Sequence, residues 1–282
     1  WIFLINLPVG VLALAIVSRS PSERGHATRF HWLGQLSAIV AMASVTYGAI
    51  EAGQAGLGAV QVVLAFAVAA ASTLIFVRSQ RRPEAMVPKE LWLSRNALIA
   101  FAVGFTFMVG YFGLPFVMSL YLQQVRGLSP VATGAAFVPM MLVGLLLTPF
   151  SARLSHQFGP KRVIVTGLVA MAAGLVLVAW LVPDAPIAGF ATAMTLVGLA
   201  GPLVSPPVTA VLLDTIAPRL AGVASGLFNT SRQLGGALSV AVFGALLAQA
   251  DSFETGMRIS LVLAAVIAIG AAATSLSLHP RA

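Results

Sequence analysis

The sequence predicts an all-α integral membrane protein with nine transmembrane helices, and three observations lead to this fold class. Apolar residues make up 59% of the 282 residues and charged residues only 9%, with a mean hydropathy of +0.97. A soluble domain carries roughly 25% charged residues, so this chain could not cover a surface that faces water. The apolar residues form segments of about 20 residues, which is the length that a helix needs to cross a bilayer. These segments lack the strict alternation of barrel strands.

The predicted spans are almost free of charge, since only Arg232 falls inside any of them. Backbone polar groups in lipid must pair within their own segment, which makes each span a helix. The nine spans are residues 1–17, 33–50, 57–77, 97–122, 131–150, 163–182, 187–213, 221–249 and 259–277.

The basic residues predict the orientation of these spans. Alternate connections carry thirteen Lys and Arg residues on one side and only two, Arg126 and Arg258, on the other. Basic residues of membrane proteins gather in cytoplasmic loops, so the first side and the C-terminus are predicted to be cytoplasmic. The first span then runs inward. An odd number of spans is therefore expected before Trp1 if the N-terminus of the whole protein is also cytoplasmic.

Several function classes are excluded or disfavoured by the sequence. The chain has no cysteine, so disulfides and thiolate metal sites are impossible. The phosphate-binding pattern GxxxxGK[ST] is absent, and no His or carboxylate cluster has the spacing of metal ligands. We therefore expect no ATPase, no cofactor and no metal, and the net charge of +8 is explained by cytoplasmic loops instead of nucleic acid.

No Asp, Glu or His lies inside any predicted span. Proton-coupled transport usually uses an ionisable group within the membrane that loses and regains a proton. If the protein is proton-coupled, we expect this group upstream of Trp1.

A polar stripe is predicted on the eighth span. Asn229, Arg232, Gln233 and Gly236 follow the spacing i, i+3, i+4 and i+7, which places them on one face of a helix. Arg232 could order an inner gate or contact substrate. Alternatively the membrane crossing is only 233–249, and Arg232 extends to the inner headgroups. The stripe favours a face that contacts protein in either case.

Two further spans carry candidates for a substrate cavity. Span 97–122 is rich in aromatic residues and Met, which suit a drug pocket, although helix packing also explains any one of them. Span 187–213 contains three prolines, which predict either a broken helix that lines a cavity or a kinked packing helix. The candidate cavity residues are Phe101, Phe105, Met108, Tyr111, Phe112, Tyr121, Pro202, Pro206, Asn229, Arg232 and Gln233.

Four stretches resemble the major facilitator superfamily, and more narrowly its fourteen-helix drug:proton antiporters of the EmrB/QacA type. WIFLINLPVG looks like the start of that family's sixth helix, and PEAMVPKELWLSRN looks like its basic link into the C-terminal half. Residues 121–139 are similar to the first outer loop and following helix of that half. Residues 222–244 resemble its penultimate helix.

The resemblance implies a major facilitator fold that lacks its N-terminal half. Residues 1–17 would be the sixth helix of the parent protein, and 18–77 a loop with two linker helices. Residues 78–96 would form a cytoplasmic interfacial linker, and 97–282 the C-terminal six-helix half. Five helices would precede Trp1, which is the odd number that the charge pattern requires.

The same resemblance assigns Gly159, Lys161 and Arg162 to an inner-loop motif, G-x-L-A-D-R-x-G-R-K in the family. His156 and Gln157 replace the Asp and Arg of that pattern, so the usual charge relay of this loop is not expected here.

The implied function is proton-coupled export of amphipathic or cationic drugs by alternating access between two halves. The expected partners are the lipid bilayer, small amphipathic substrates, protons and the N-terminal half of the same protein, in the bacterial inner membrane. A periplasmic adaptor is left undecided. A major facilitator transporter of a siderophore, peptide or sugar is one alternative, and a membrane scaffold or sensor is another. The proline-containing span and the polar stripe favour transport.

Overall fold

Helices account for all regular structure in the part of the chain that the computed structural model describes, which is residues 4, 6–19, 31–81, 85–183 and 185–279. Helix α1 (Asn6–Val17) belongs to a separate unit, residues 1–31, and its side chains are exposed throughout. The second unit begins at Trp32. The basic residues Arg24, Arg29, Arg82 and Arg281, which contributed to the charge pattern, lie outside the described residues.

The second unit contains ten further α-helices. They are α2 (Trp32–Ala55), α3 (Val60–Ser79), α4 (Lys89–Leu93), α5 (Arg95–Leu120), α6 (Pro130–Leu147), α7 (Ser151–Phe158), α8 (Pro160–Leu181), α9 (Ile187–Thr215), α10 (Ala221–Gln249) and α11 (Phe253–Ser275). A π-helical turn, Tyr121–Val125, extends α5, and short 3-10 turns precede α7 and α10.

Eight helices within the described ranges are long and apolar enough to cross a membrane, and they correspond to the second to ninth predicted spans. The chain is therefore a multi-pass membrane protein. Helix α1 has only 12 residues, fewer than the about 20 that a bilayer core requires. The count of nine spans stays a prediction.

The sequence prediction was wrong about residues 151–162, which were expected to form a loop. Residues Ser151–Phe158 are helical and continue α6 through a 3-10 turn. The chain reverses only at Gly159, whose φ of +81° suits glycine, and Pro160 begins α8. The polar residues of α7 end the apolar stretch without ending the helix, because polar side chains outside lipid are compatible with helical backbone.

The six long helices after α4 form two layers. Helices α10, α5, α9 and α6 lie side by side in one layer, and α11 and α8 pack against each other behind α5 and α9. Helix α2 packs on α10, and α3 packs on α2. The buried core lies between the two layers and includes Met118, Leu168, Met194 and Leu261.

Serine caps fix the starts of three helices. Ser94, Ser129 and Ser252 each accept a hydrogen bond from the backbone N–H three residues later, at the starts of α5, α6 and α11. These bonds satisfy N–H groups that have no partner within the helix.

Candidate substrate-binding surface

Helices α5 and α10 run parallel in very close contact. A Cβ added at Gly235 would collide with the carbonyl oxygen of Phe105, and one added at Gly113 would collide with the ring of Phe243. Small residues at such crossings let two helix backbones approach closely. The polar stripe of α10 and the aromatic side chains of α5 therefore lie on adjoining helices.

Arg232 lies at this α5–α10 contact. Its guanidinium carbon is 5.7 Å from the centroid of the Phe228 ring, and its Cγ lies beside Gly104. The Nε atom of Arg232 is buried and has no hydrogen-bond partner among the described residues. The neighbouring stripe residues Asn229 and Gln233 are exposed. The stripe thus combines two accessible amides with a half-buried cation.

The aromatic part of the surface comes from Tyr111 and Phe112. Phe112 is 52% exposed and lies against Gly236, one helical turn beyond Arg232. The ring centroids of Tyr111 and Phe112 are 6.4 Å apart. The Tyr111 hydroxyl reaches the space beside Gly201 of α9. We call the surface formed by Tyr111, Phe112, Asn229, Arg232 and Gln233 the front surface.

The other aromatic and Met candidates of α5 lie elsewhere. Phe101 and Phe105 are half-buried at the margin of the core. Met108 is only 6% exposed, and Tyr121 is fully buried. Met108 and Tyr121 therefore fit the packing interpretation. Tyr111 and Phe112 are therefore the two α5 candidates on the front surface.

Tyr121, which directly follows α5, binds the connection between α8 and α9. Its hydroxyl donates to the carbonyl of Pro183 at 3.3 Å, and its ring contacts those of Phe190 and Phe253. Arg126 donates to the carbonyls of Pro183 and Ala185, both at 3.1 Å.

Arg258 completes this group by donating to the carbonyl of Val182. Arg126 and Arg258 are the two basic residues that the sequence assigned to the outer side, and both bind the same short segment. We call Tyr121, Arg126 and Arg258 the outer clamp. These hydrogen bonds explain why Arg126 and Arg258 occur on a side that is predicted to carry no other basic residue.

The three prolines of α9 do not break the helix, which is continuous over 29 residues. Pro202 is buried, whereas Pro206 is exposed. Pro206 lacks the N–H that would bond to the carbonyl of Pro202. The buried hydroxyl of Ser151 donates to that carbonyl instead, at 2.6 Å. Sequence reasoning missed Ser151, although the proline four residues after Pro202 indicates a carbonyl in need of a donor.

The inner-loop candidates gather around the start of α8. Gly159 forms the turn, Lys161 is half-buried, and Arg162 and His156 are exposed. None of these residues is part of the front surface.

Helix α4 is joined to the turn before α10 by an ion pair. Arg219 donates to the Glu90 carboxylate at 2.8 Å. This hydrogen bond, the largest contribution, lowers the pKa of Glu90 below its ordinary value. Leu91 of the same short helix is buried, while Trp92 and Leu93 are exposed. Helix α4 therefore packs against the core through Leu91.

The described residues contain no group of three or more His, Asp or Glu side chains that could hold a metal ion. Their carboxylates are located at or near helix ends or in short connections. These are Glu51, Glu90, Asp214, Asp251 and Glu254.

Comparison with known families identifies this arrangement. A sequence model of the Major Facilitator Superfamily matches residues 1–240, which is well over half of the chain. The chain belongs to the Major Facilitator Superfamily. The family resemblance seen in the sequence is thereby confirmed, and membership indicates a membrane transporter and not an enzyme.

Curated relatives within the superfamily are named for drug resistance. The Methylenomycin A resistance protein of Streptomyces coelicolor is 31% identical over 93% of this chain and 55% of its own length. The Puromycin resistance protein pur8 of Streptomyces alboniger is 31% identical over 86% and 49%. The Multidrug resistance protein Stp of Mycobacterium tuberculosis is 30% identical over 88% and 46%. The chain thus spans about half the length of these relatives.

Proposed function

We propose that the protein is a secondary transporter that exports small amphipathic compounds by alternating access, in exchange for protons. The observation that carries this proposal is the front surface, where aromatic, amide and guanidinium groups lie together on helices of membrane-spanning length. The names of the relatives support drug export as the direction and purpose of transport.

The position of Arg232 supports a cavity on the front surface. Helix α10 continues for eleven residues before Arg232, which is about three helical turns. A charged side chain that faces lipid at depth is costly, and such residues almost always face the bundle interior or a water-filled cavity. The front surface is therefore proposed to line the transport path.

The composition of the front surface supports an amphipathic substrate. Tyr111 and Phe112 offer broad apolar contact, and Asn229 and Gln233 offer amide donors and acceptors on the next helix. A sugar would need many more polar partners, and a scaffold would need no such exposed mixture within its membrane helices.

Proton coupling rests on the family resemblance, since we assign no proton carrier among the described residues. The orientation rests on the basic residues, whose distribution supports a cytoplasmic C-terminus in a bacterial cell. The linker ion pair between Glu90 and Arg219 would then lie on the cytoplasmic side, and the outer clamp on the opposite side.

Dye efflux tests the proposal. Cells that produce the full-length gene product are loaded with ethidium, a cation, or with Nile red, which is uncharged, and efflux is followed by fluorescence. We expect faster efflux than in control cells for at least one dye, and an uncoupler should abolish the difference. Efflux that survives the uncoupler but stops on ATP depletion would contradict the proposal, as would the absence of any difference with both dyes.

A further inference from the structure

Arg232 has no charge partner in the described part of the chain. Its side chain makes no hydrogen bond and no ion pair there, and its only charge-related contact is the Phe228 ring. A cation–π contact of this kind contributes roughly 0.5–2 kcal/mol, which does not replace a counter-ion for a half-buried guanidinium.

The described carboxylates do not serve as this counter-ion. Glu90 is paired with Arg219, and Asp214 is exposed at the far end of α9. Glu51, Asp251 and Glu254 have no ion pair with Arg232. The front surface therefore has a net positive charge among the groups that the structure describes.

The geometry around Arg232 suits a planar anion. A guanidinium presents parallel N–H donors that match the two oxygens of a carboxylate, and such pairs are among the strongest hydrogen-bonded contacts in proteins. Asn229 and Gln233, on the same helix face, add exposed amide donors. An organic cation at this place would instead meet like charge in surroundings of reduced dielectric constant.

The aromatic residues are placed for the apolar part of the same ligand. Phe112 lies beside Gly236, one turn along α10 from Arg232, which is about 6 Å. Tyr111 extends the apolar surface toward α9. A molecule with a carboxylate at one end and an apolar body could contact both groups together.

We propose that the substrates of this protein include amphipathic organic anions, and that Arg232 binds their carboxylate while Tyr111 and Phe112 contact the apolar body. This inference rests on the proposed function, in which the front surface lines the transport path. It names a substrate class opposite in charge to the cationic drugs that the sequence resemblance implied.

A matched pair of probes tests the proposal. Dansylaminoundecanoic acid carries a carboxylate, and its methyl ester has the same body without the charge. Binding of each probe to the purified full-length gene product in lipid nanodiscs is measured by dansyl fluorescence, with empty nanodiscs subtracted. We expect the acid to bind at least about tenfold more tightly than the ester, because a charge-assisted hydrogen bond contributes about 1.5–3 kcal/mol.

Substitution then assigns the preference to Arg232. Arg232→Gln should bring the ratio of acid to ester affinity close to one, and Arg232→Lys should give an intermediate ratio. Arg78→Gln removes a charge from an exposed position at the end of α3 and should leave the ratio unchanged. An ester affinity within about twofold of that of the unmodified protein shows that each variant is folded.

Two outcomes would overturn the inference: equal binding of acid and ester by the unmodified protein, or an acid preference that survives Arg232→Gln in folded protein. Transport separates this result from the proposed function. Uncoupler-sensitive dye efflux without acid preference removes the inference alone. Arg232-dependent acid binding without efflux of ethidium, Nile red or the acid removes the proposed function.

Discussion

The Ser151 hydroxyl donates to the carbonyl of Pro202 across the contact between α7 and α9, at 2.6 Å. Both groups are buried, and Pro206 cannot supply the usual helical N–H. One side chain from a neighbouring helix thus satisfies a backbone acceptor that the sequence of α9 leaves unpaired. This bond compensates for the N–H that Pro206 lacks.

Replacement of Ser151 by Ala should destabilise the protein by about 1–3 kcal/mol, because a buried carbonyl loses its donor. The measurement is unfolding of the purified protein in detergent. Ser155→Ala is the matched control, since the buried Ser155 hydroxyl has no hydrogen-bond partner among the described residues and its removal should cost little. In a Pro206→Ala background, which restores the helical N–H, Ser151→Ala should cost less. An equal cost in both backgrounds would refute this assignment.

Gly235→Ala should separate α5 from α10 and destabilise the protein by about 1–3 kcal/mol, because the new Cβ would meet the backbone of Phe105. Gly226→Ala on the same helix meets nothing within 4 Å and should be neutral or stabilising by up to about 1 kcal/mol. Unfolding midpoints of the two variants give the comparison. Similar midpoints would show that the close contact is not required.

Arg126→Met should loosen the outer clamp, because two hydrogen bonds to the 182–185 segment are lost. Amide hydrogen exchange at residues 185–190 should become about tenfold faster, which corresponds to about 1.4 kcal/mol. Arg78→Met, outside the clamp, should leave these amides unchanged. Unaltered exchange in Arg126→Met would mean that Tyr121 and Arg258 hold the segment without it.

The Glu90–Arg219 pair should stabilise the protein at neutral pH and not in acid. The folded-state pKa of Glu90 is lowered, so its contribution is fully present above the ordinary Glu pKa and is lost as pH falls through the lowered value. Glu90→Gln should therefore lower the thermal midpoint slightly at neutral pH and low salt, and not at acidic pH. Asp251→Asn is the control, because this exposed carboxylate has no ion pair with any other described residue. A constant effect of Glu90→Gln across pH would contradict this prediction.

The membrane helices could be predicted from sequence because hydropathy over about 20 residues reports directly on helix length in lipid. Eight of the nine predicted spans correspond to helices of membrane-spanning length in the described ranges, with ends displaced by a few residues. Residues Ser151–Phe158 were missed because hydropathy marks where apolar surface ends, and α7 continues the helix beyond that point.

The front surface was only partly predictable. Periodicity placed Asn229, Arg232 and Gln233 together on α10 because a single helix fixes their spacing. The position of Phe112 beside that stripe depends on the register between α5 and α10. That register is set by the close approach at Gly235, and the spacing of residues along one helix does not show which glycine faces which neighbouring backbone. The outer clamp was missed for the same reason, since its donors come from two distant helices.

The C-terminal end of α2 is bound to α10. The Gln249 side chain donates to the carbonyl of Ala52, and Gly53 lies against Ala245. If helices α5 to α11 tilt together in the bilayer, α2 and α3 must therefore move with them through the surrounding lipid. The lipid annulus must rearrange around eight helices instead of six, so membrane thickness and viscosity would enter directly into the speed of such a movement.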